Sequence, residues 1–221
     1  MPRKKRLVLP NCPHHVLHRG HDGEAVFVGD EGYRFYLSNL WEGAQELGCK
    51  VYAYCLMLGQ VHLVVDPGAN TRNLGRLMKM LAGRQAGYAK RCGMLNGTPL
   101  CERRFRSSPI MASEFLLACC RYVELSPVRV CLAKKPEDYA WSSCRTKLGL
   151  DTTTIYSDPA YLALGQTSTE RAEYYRRYMT QPIPHQEWAV IRHAVQTGTF
   201  TGLPSVDADE HAELAIAPLA I

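Results

Sequence analysis

Two polar pairs in this sequence have the residue types and the spacing for chemistry on a phosphate group. Gln60 and His62 are two residues apart in an apolar, β-branched stretch, and Tyr122 and Ser126 are four residues apart in a stretch with helical periodicity. Side chains two residues apart on a strand share a face, and side chains four residues apart on a helix lie one turn from each other. Each pair therefore presents its two polar groups side by side.

The first pair offers an amide oxygen and an imidazole nitrogen on a rigid sheet. Such donors, Gln60 and His62, suit a divalent metal ion. The same two residues on a half-buried strand also suit a hydrogen-bonded structural pair. The residues alone leave both interpretations open.

The second pair contains a candidate nucleophile, Tyr122. A tyrosine hydroxyl is protonated at neutral pH and is therefore a weak nucleophile, but it becomes useful when cations activate the phosphate that it attacks. The alternative is a helix tyrosine that packs its ring and hydrogen-bonds its hydroxyl.

Hydrophobic periodicity predicts the elements that must position these residues. A helix over 30–47 ends at Gly48, and a helix that starts at Ser113 ends at Ser126, because Pro127 disfavours helical geometry in the residue before it. The resulting order, β-α-β-β-α-β-α, favours a ferredoxin-like α+β sandwich with an antiparallel sheet and packed helices. The remaining elements are strands over 15–19, 51–57, 61–65 and about 104–111, and a helix capped by Thr71.

Residues 151–221 have a different pattern. Residues 167–170 (TSTE) form a capping-box sequence that opens a helix to about Met179, and a second helix over 185–197 is stopped by Gly198. We therefore predict a domain over residues 1–150 and a helical appendage over residues 151–221 with an acidic end.

Composition excludes several classes of protein. The 221 residues are 46% hydrophobic and 21% charged, which is typical of a globular chain, and no stretch reaches the roughly 18 apolar residues of a membrane span. The nine cysteines are odd in number and irregularly spaced, so we expect reduced thiols and a cytoplasmic protein. Strand alternation also scatters the early Cys and His residues over both faces, which disfavours a zinc site among Cys12, His14, His15, His18 and His21.

Positive charge is concentrated in one part of the chain. The net charge is only +5, yet residues 71–112 contain nine Lys and Arg residues and a single acidic residue, Glu102. A positive band of this kind attracts phosphate and nucleic acid. A solvated basic helix is the alternative.

Together these segments resemble a known family. Residues 54–65 (YCLMLGQVHLVV) are similar to the "YvLMPNHvHLLv" signature of the single-tyrosine transposases of the HUH superfamily. Residues 105–108 (FRSS) and 122–129 (YVELSPVR) resemble "RyrSS" and "RYIeLNPVRA" of that family, and residues 136–143 (PEDYAWSS) resemble "PedYpWSSy". The first strand, 15–20 (HVLHRG), is similar to "yHVtsRGN", and the order agrees over about residues 10–165. The chain is identified as similar to the REP-associated tyrosine transposase branch.

The resemblance implies a metal-assisted transesterification on single-stranded or hairpin DNA. Tyr122 would form a 5′-phosphotyrosine link, with Mg²⁺ or Mn²⁺ held by His62, Gln60 and Ser126. The DNA backbone would be bound by cationic residues, and affinity would fall with salt. These residues are Arg19, Arg72, Arg76, Lys79, Arg103, Arg104, Arg106 and Arg129.

The sequence departs from the family pattern at three places. Gln60 replaces the first histidine, Leu58-Gly59 replaces Pro-Asn, and Ser126 replaces an asparagine. Three functions therefore remain: a single-tyrosine transposase with weak metal binding, a catalytically silent protein that binds hairpin DNA, or a ferredoxin-like domain unrelated to DNA. We expect a monomer in each case.

Overall fold

Antiparallel strands form the sheet at the centre of the fold. The computed structural model describes residues 6–95, 97–111, 113–153 and 155–202, without the side chains of 113 and 114, and within these residues the sheet has four strands. Their spatial order, β2-β3-β1-β4, is that of a ferredoxin-like sandwich. The strands are β1 (His14–Arg19), β2 (Lys50–Met57), β3 (Gln60–Asp66) and β4 (Arg106–Pro109).

Two long helices cover one face of the sheet. Helix α1 (Gly29–Leu47) and helix α2 (Arg72–Arg91) pack against each other and bury Leu63 and Val65 of β3. Gly43 lets the two helices pack closely, because a Cβ atom there would lie 2.0 Å from Met80 Cε and 3.0 Å from Leu77 Cδ1, so both side chains would have to shift. The predicted stop of α1 is confirmed, since Gly48 adopts the left-handed conformation with φ of 65°.

The opposite face of the sheet is covered by helix α3 (Ser113–Glu124) and by the C-terminal helix α8 (His185–Thr197). Ala53, Cys55 and Val64 of the sheet share this core with Ile191 of α8. The domain boundary predicted at residue 150 stays a prediction.

The predicted end of α3 at Ser126 is wrong. The helix ends at Glu124, and a short helix α4 (Ser126–Arg129) follows with Pro127 in its first turn. A proline is accepted there because the first turn of a helix needs no backbone N–H donor at that position.

A third core joins α3 to the following helices. Leu117 and Leu125 pack with residues of α5 (Cys144–Lys147), α6 (Pro159–Leu162) and α7 (Ser168–Thr180). The predicted capping box of α7 is confirmed: Thr167 Oγ1 accepts from the Glu170 backbone N–H, and Glu170 reaches back to Thr167 N.

Several local predictions are settled by the structure. All nine cysteines are free thiols. Thr71 precedes α2 as predicted, but its side chain forms no cap, and Asn70 Oδ1 accepts from Arg72 N instead, at 3.1 Å. The acidic end beyond residue 202 lies outside the described residues. Among the helices described, none combines the length and the apolar character that crossing a bilayer would require.

Candidate active site

The strand alternation of β3 places His62 on the face that α3 covers. There the ring of His62 meets the ring of Tyr122, with 6.2 Å between centroids. His15 of the neighbouring strand β1 completes the cluster, 5.6 Å from the Tyr122 centroid. The predicted meeting of Tyr122 with the hairpin histidine is therefore present.

The two histidines form a buried hydrogen-bonded pair. His15 Nε2 lies 3.0 Å from His62 Nδ1, and the two rings stack. Burial, with a smaller contribution from Arg129, lowers the pKa of His15 to about 3. Burial also lowers the pKa of His62, helped by the charges of His15, Arg129 and Arg19. Both imidazoles are therefore neutral at neutral pH, so one nitrogen of the pair donates and the other accepts.

Arg129 holds a positive charge against the tyrosine. Its guanidinium carbon lies 3.9 Å from the Tyr122 ring centroid, and its two terminal nitrogens donate to the Tyr122 backbone oxygen at 2.5 Å and to Ser126 Oγ at 2.6 Å. The turn of α4 makes this possible, because Ser126 and Arg129 are three residues apart on one face.

Trp188 of α8 covers the same tyrosine. Its ring lies edge-on to the Tyr122 ring at 5.8 Å, and the Arg129 guanidinium contacts both aromatic rings, 4.6 Å from the Trp188 centroid. Tyr122 is consequently only 8% exposed. The ring of this candidate nucleophile is thus covered by helix α8.

The three predicted metal ligands are not equally available. Gln60 and His62 share one face of β3, but Ser126 Oγ donates to the Tyr122 backbone oxygen at 3.2 Å and accepts from Arg129. A divalent cation at Ser126 would lie beside a guanidinium group. Among the described residues no cluster of three or more His, Cys, Asp or Glu could hold a metal. Ser126 Oγ is therefore engaged elsewhere, and Gln60 and His62 are the two predicted ligands that would remain to hold Mg²⁺ or Mn²⁺.

The predicted DNA-binding residues fall on two faces of the sheet rather than in one band. Arg19 pairs with Gln60 and Arg106 pairs with Leu17, and paired residues of neighbouring strands point to the same face of the sheet. Arg19 and Arg106 therefore lie on the face that contacts Tyr122, as does Arg129. Helix α2 lies on the other face, and it carries Arg72, Arg76 and Lys79; Arg103 and Arg104 line a cleft beside it.

Sequence reasoning missed two residues of this site. The sequence places His15 only in the first predicted strand. Its hydrogen bond to His62 depends on the register between β1 and β3, which has no local signal in the sequence. Trp188 lies on a predicted helix, but the packing of that helix against Tyr122 is a long-range contact.

The fold matches that of a known transposase. A solved structure of a REP-associated tyrosine transposase bound to a REP hairpin superimposes with a TM-score of 0.57 and 12% sequence identity, covering 72% of this chain and 96% of that chain. The sequence itself matches no protein-family model and no curated protein. The likeness shows that this chain has the fold of the transposase, as the sequence motifs predicted.

Proposed function

We propose that this chain binds single-stranded or hairpin DNA and that Tyr122 attacks a phosphate of the bound strand. The proposal is based on the contact between the rings of Tyr122 on α3 and His62 on β3, and on the Arg129 guanidinium that packs against the Tyr122 ring. The fold supports a hairpin partner, because the transposase of the same fold was solved with one.

The proposed reaction exchanges one phosphate ester for another. The Tyr122 oxygen bonds to the phosphorus, the P–O3′ bond breaks, and the phosphate remains as a 5′-phosphotyrosine link. The phenolic proton passes to water, and the leaving O3′ takes up a proton to become a 3′-hydroxyl. Attack by a 3′-hydroxyl reverses these steps. Arg129 and Arg19 would stabilise the charge that develops on the phosphate oxygens.

A second candidate function is a hairpin-binding protein without catalysis. The specific observation that favours it is the enclosure of Tyr122 between Arg129 and Trp188, together with the engagement of Ser126 by Arg129. Such a protein would keep its affinity for DNA and form no covalent product.

One experiment separates the two functions. A pool of hairpin oligonucleotides with a fixed palindromic stem, randomised unpaired flanks and a 3′-terminal dye is incubated with the protein, because the 3′ fragment would stay on Tyr122. Parallel samples contain Mg²⁺, Mn²⁺ or EDTA. A labelled band that survives denaturing electrophoresis in the wild type and is absent in Tyr122→Phe supports catalysis, and the EDTA sample tests the metal predicted from the sequence.

Binding without a covalent band in any sample would support the second function. Undetectable binding at low salt would reject both, because phosphate contacts are strongest at low ionic strength. We also propose that the chain acts as a monomer, since α3 is anchored within its own chain by a buried ion pair between Glu124 and Lys147. Cytoplasmic localisation stays a prediction.

A further inference from the structure

A cleft of about 570 Å³ opens on the face of the sheet opposite Tyr122. One wall is helix α2 and the other is the chain over 99–105, with His18 of β1 between them. The His18 side chain lies on the face of the sheet that α1 and α2 cover. Its neighbour Leu17 points to the opposite face, and the His18 ring contacts the ring of Phe105, which packs against the α1 and α2 core. The sheet therefore separates this cleft from the tyrosine site.

The rim of the cleft is cationic. Four side chains contribute positive charge against one carboxylate, Glu102. Burial and the neighbouring charge of Arg104 lower the pKa of Arg6 to about 10, so the guanidinium stays charged at neutral pH under mutual repulsion. An anion in the cleft would relieve that repulsion. The four cations are Arg6, Lys79, Arg103 and Arg104.

The interior of the cleft can accept a flat group. Phe105 carries the Arg6 guanidinium on its ring, 3.5 Å from the centroid, and Arg6 also donates to the Phe105 backbone oxygen at 2.8 Å. On the opposite wall, a Cβ atom built on Gly75 or Gly83 would meet nothing within 4 Å. The α2 wall is otherwise made of the side chains Met78, Lys79, Ala82 and Ala86.

We propose that this cleft binds one nucleotide of an unpaired DNA strand, with the phosphate among the cations and the base between the stacked Arg6–Phe105 pair and the α2 wall. The volume lies in the range of about 300–1,000 Å³ that holds small-molecule ligands. A base within a duplex is stacked on both sides and cannot enter, whereas an unpaired base can. The inference rests on the proposed DNA binding and adds a second contact, remote from Tyr122.

The test compares two dye-labelled probes by fluorescence anisotropy. One is a blunt hairpin, and the other has the same stem with a ten-nucleotide unpaired flank. Gly83→Leu fills the cleft, and Gly87→Leu is the matched control because it lies on the same helix outside the cleft lining. Both substitutions replace a glycine inside a helix, so thermal melting should show Tm values no lower than that of the wild type.

The wild type should bind the flanked hairpin at least fivefold more tightly than the blunt one. Gly83→Leu should lose that difference and keep its affinity for the blunt hairpin, and Gly87→Leu should match the wild type. Lys79→Ala should weaken binding of the flanked probe severalfold, whereas Lys134→Ala, an exposed lysine away from the cleft, should not.

Three results would overturn the inference. Wild-type affinity of Gly83→Leu for the flanked probe would show that the cleft holds no nucleotide, while hairpin binding would stand. Binding of free deoxynucleoside monophosphates, without preference for the flank, would assign the cleft to a free nucleotide. Failure of the wild type to bind either probe at low salt would reject the proposed function itself.

Discussion

Glu124 Oε1 lies 3.0 Å from Lys147 Nζ, and neither side chain is exposed to solvent. The same carboxylate accepts the hydroxyls of Ser143 and Tyr175, each at 2.6 Å. Glu124 is two residues beyond Tyr122 on α3, so these contacts tie the tyrosine helix to α5 and α7 of its own chain. The position of Tyr122 is thus fixed from the far side of its helix.

Removal of the Lys147 charge should lower the stability of the protein. Lys147→Met leaves Glu124 buried without a cation, and we expect a loss of about 3–5 kcal/mol in the free energy of unfolding, measured with urea. Arg177→Met breaks the exposed pair with Glu173 and should cost less than about 1 kcal/mol. Equal losses in the two variants would contradict the anchoring role of Glu124.

Acid should destabilise the protein through its buried histidines. The pKa of His15 is lowered to about 3 in the folded state. Between about pH 3 and pH 6.5 the imidazole is therefore protonated in the unfolded chain and neutral in the folded chain. This contribution is fully present above about pH 6.5 and is lost as pH falls towards 3, at about 1.4 kcal/mol per pH unit. Urea unfolding at pH 7 and pH 5 measures it, and His15→Gln should show a shallower pH dependence than the wild type. Identical pH dependence would contradict the burial of a neutral His15.

Truncation of Trp188 should uncover the tyrosine. In Trp188→Ala the edge-on contact with Tyr122 and the contact with Arg129 are lost, so the covalent product on the 3′-labelled hairpin pool should rise severalfold. Because Trp188 is only half-buried, we expect a stability cost of about 2 kcal/mol, below that of a fully buried tryptophan. The control is Tyr174→Ala, an exposed aromatic residue on α7 that should leave the yield unchanged. No increase in Trp188→Ala would show that the cover does not limit Tyr122.

Loss of one cation from α2 should change the salt dependence of binding. If Arg72 contacts a phosphate, Arg72→Ala should reduce the slope of log K against log salt concentration by about 0.7–0.9. Anisotropy titrations of the blunt hairpin from low to moderate salt measure this slope. Arg176→Ala on α7 is the control, and an equal slope change in both variants would contradict a specific role for α2.

The elements that carry local signals could be predicted from the sequence. The hairpin of β2 and β3, the glycine stop of α1 and the capping box of α7 each depend on residues within one or two turns of each other. The face of β3 on which His62 lies follows from strand alternation alone. For the same reason the family motifs located Tyr122 and His62 in one site.

The predictions that failed depend on packing between distant segments. The end of α3 was misplaced because the chain resumes a helix at Ser126, where the first turn accepts Pro127. The predicted DNA-binding cations do not form one band, because helix α2 lies on the face of the sheet opposite to Arg19 and Arg106. The cover of Trp188 over Tyr122 brings together residues 66 positions apart in the chain. Such contacts are set by tertiary structure and leave no mark on local periodicity.

The sheet acts as a partition between the two groups of cations. The strand at its edge, β4, is only four residues long, and the chain that leads into it runs from Arg103 at the cleft to Arg106 on the tyrosine face. A nucleic acid strand that touches both sides must pass around an edge of this sheet. For a strand bound at both proposed sites, the width of the protein would then set the number of nucleotides between the cleft and the phosphate that Tyr122 is proposed to attack.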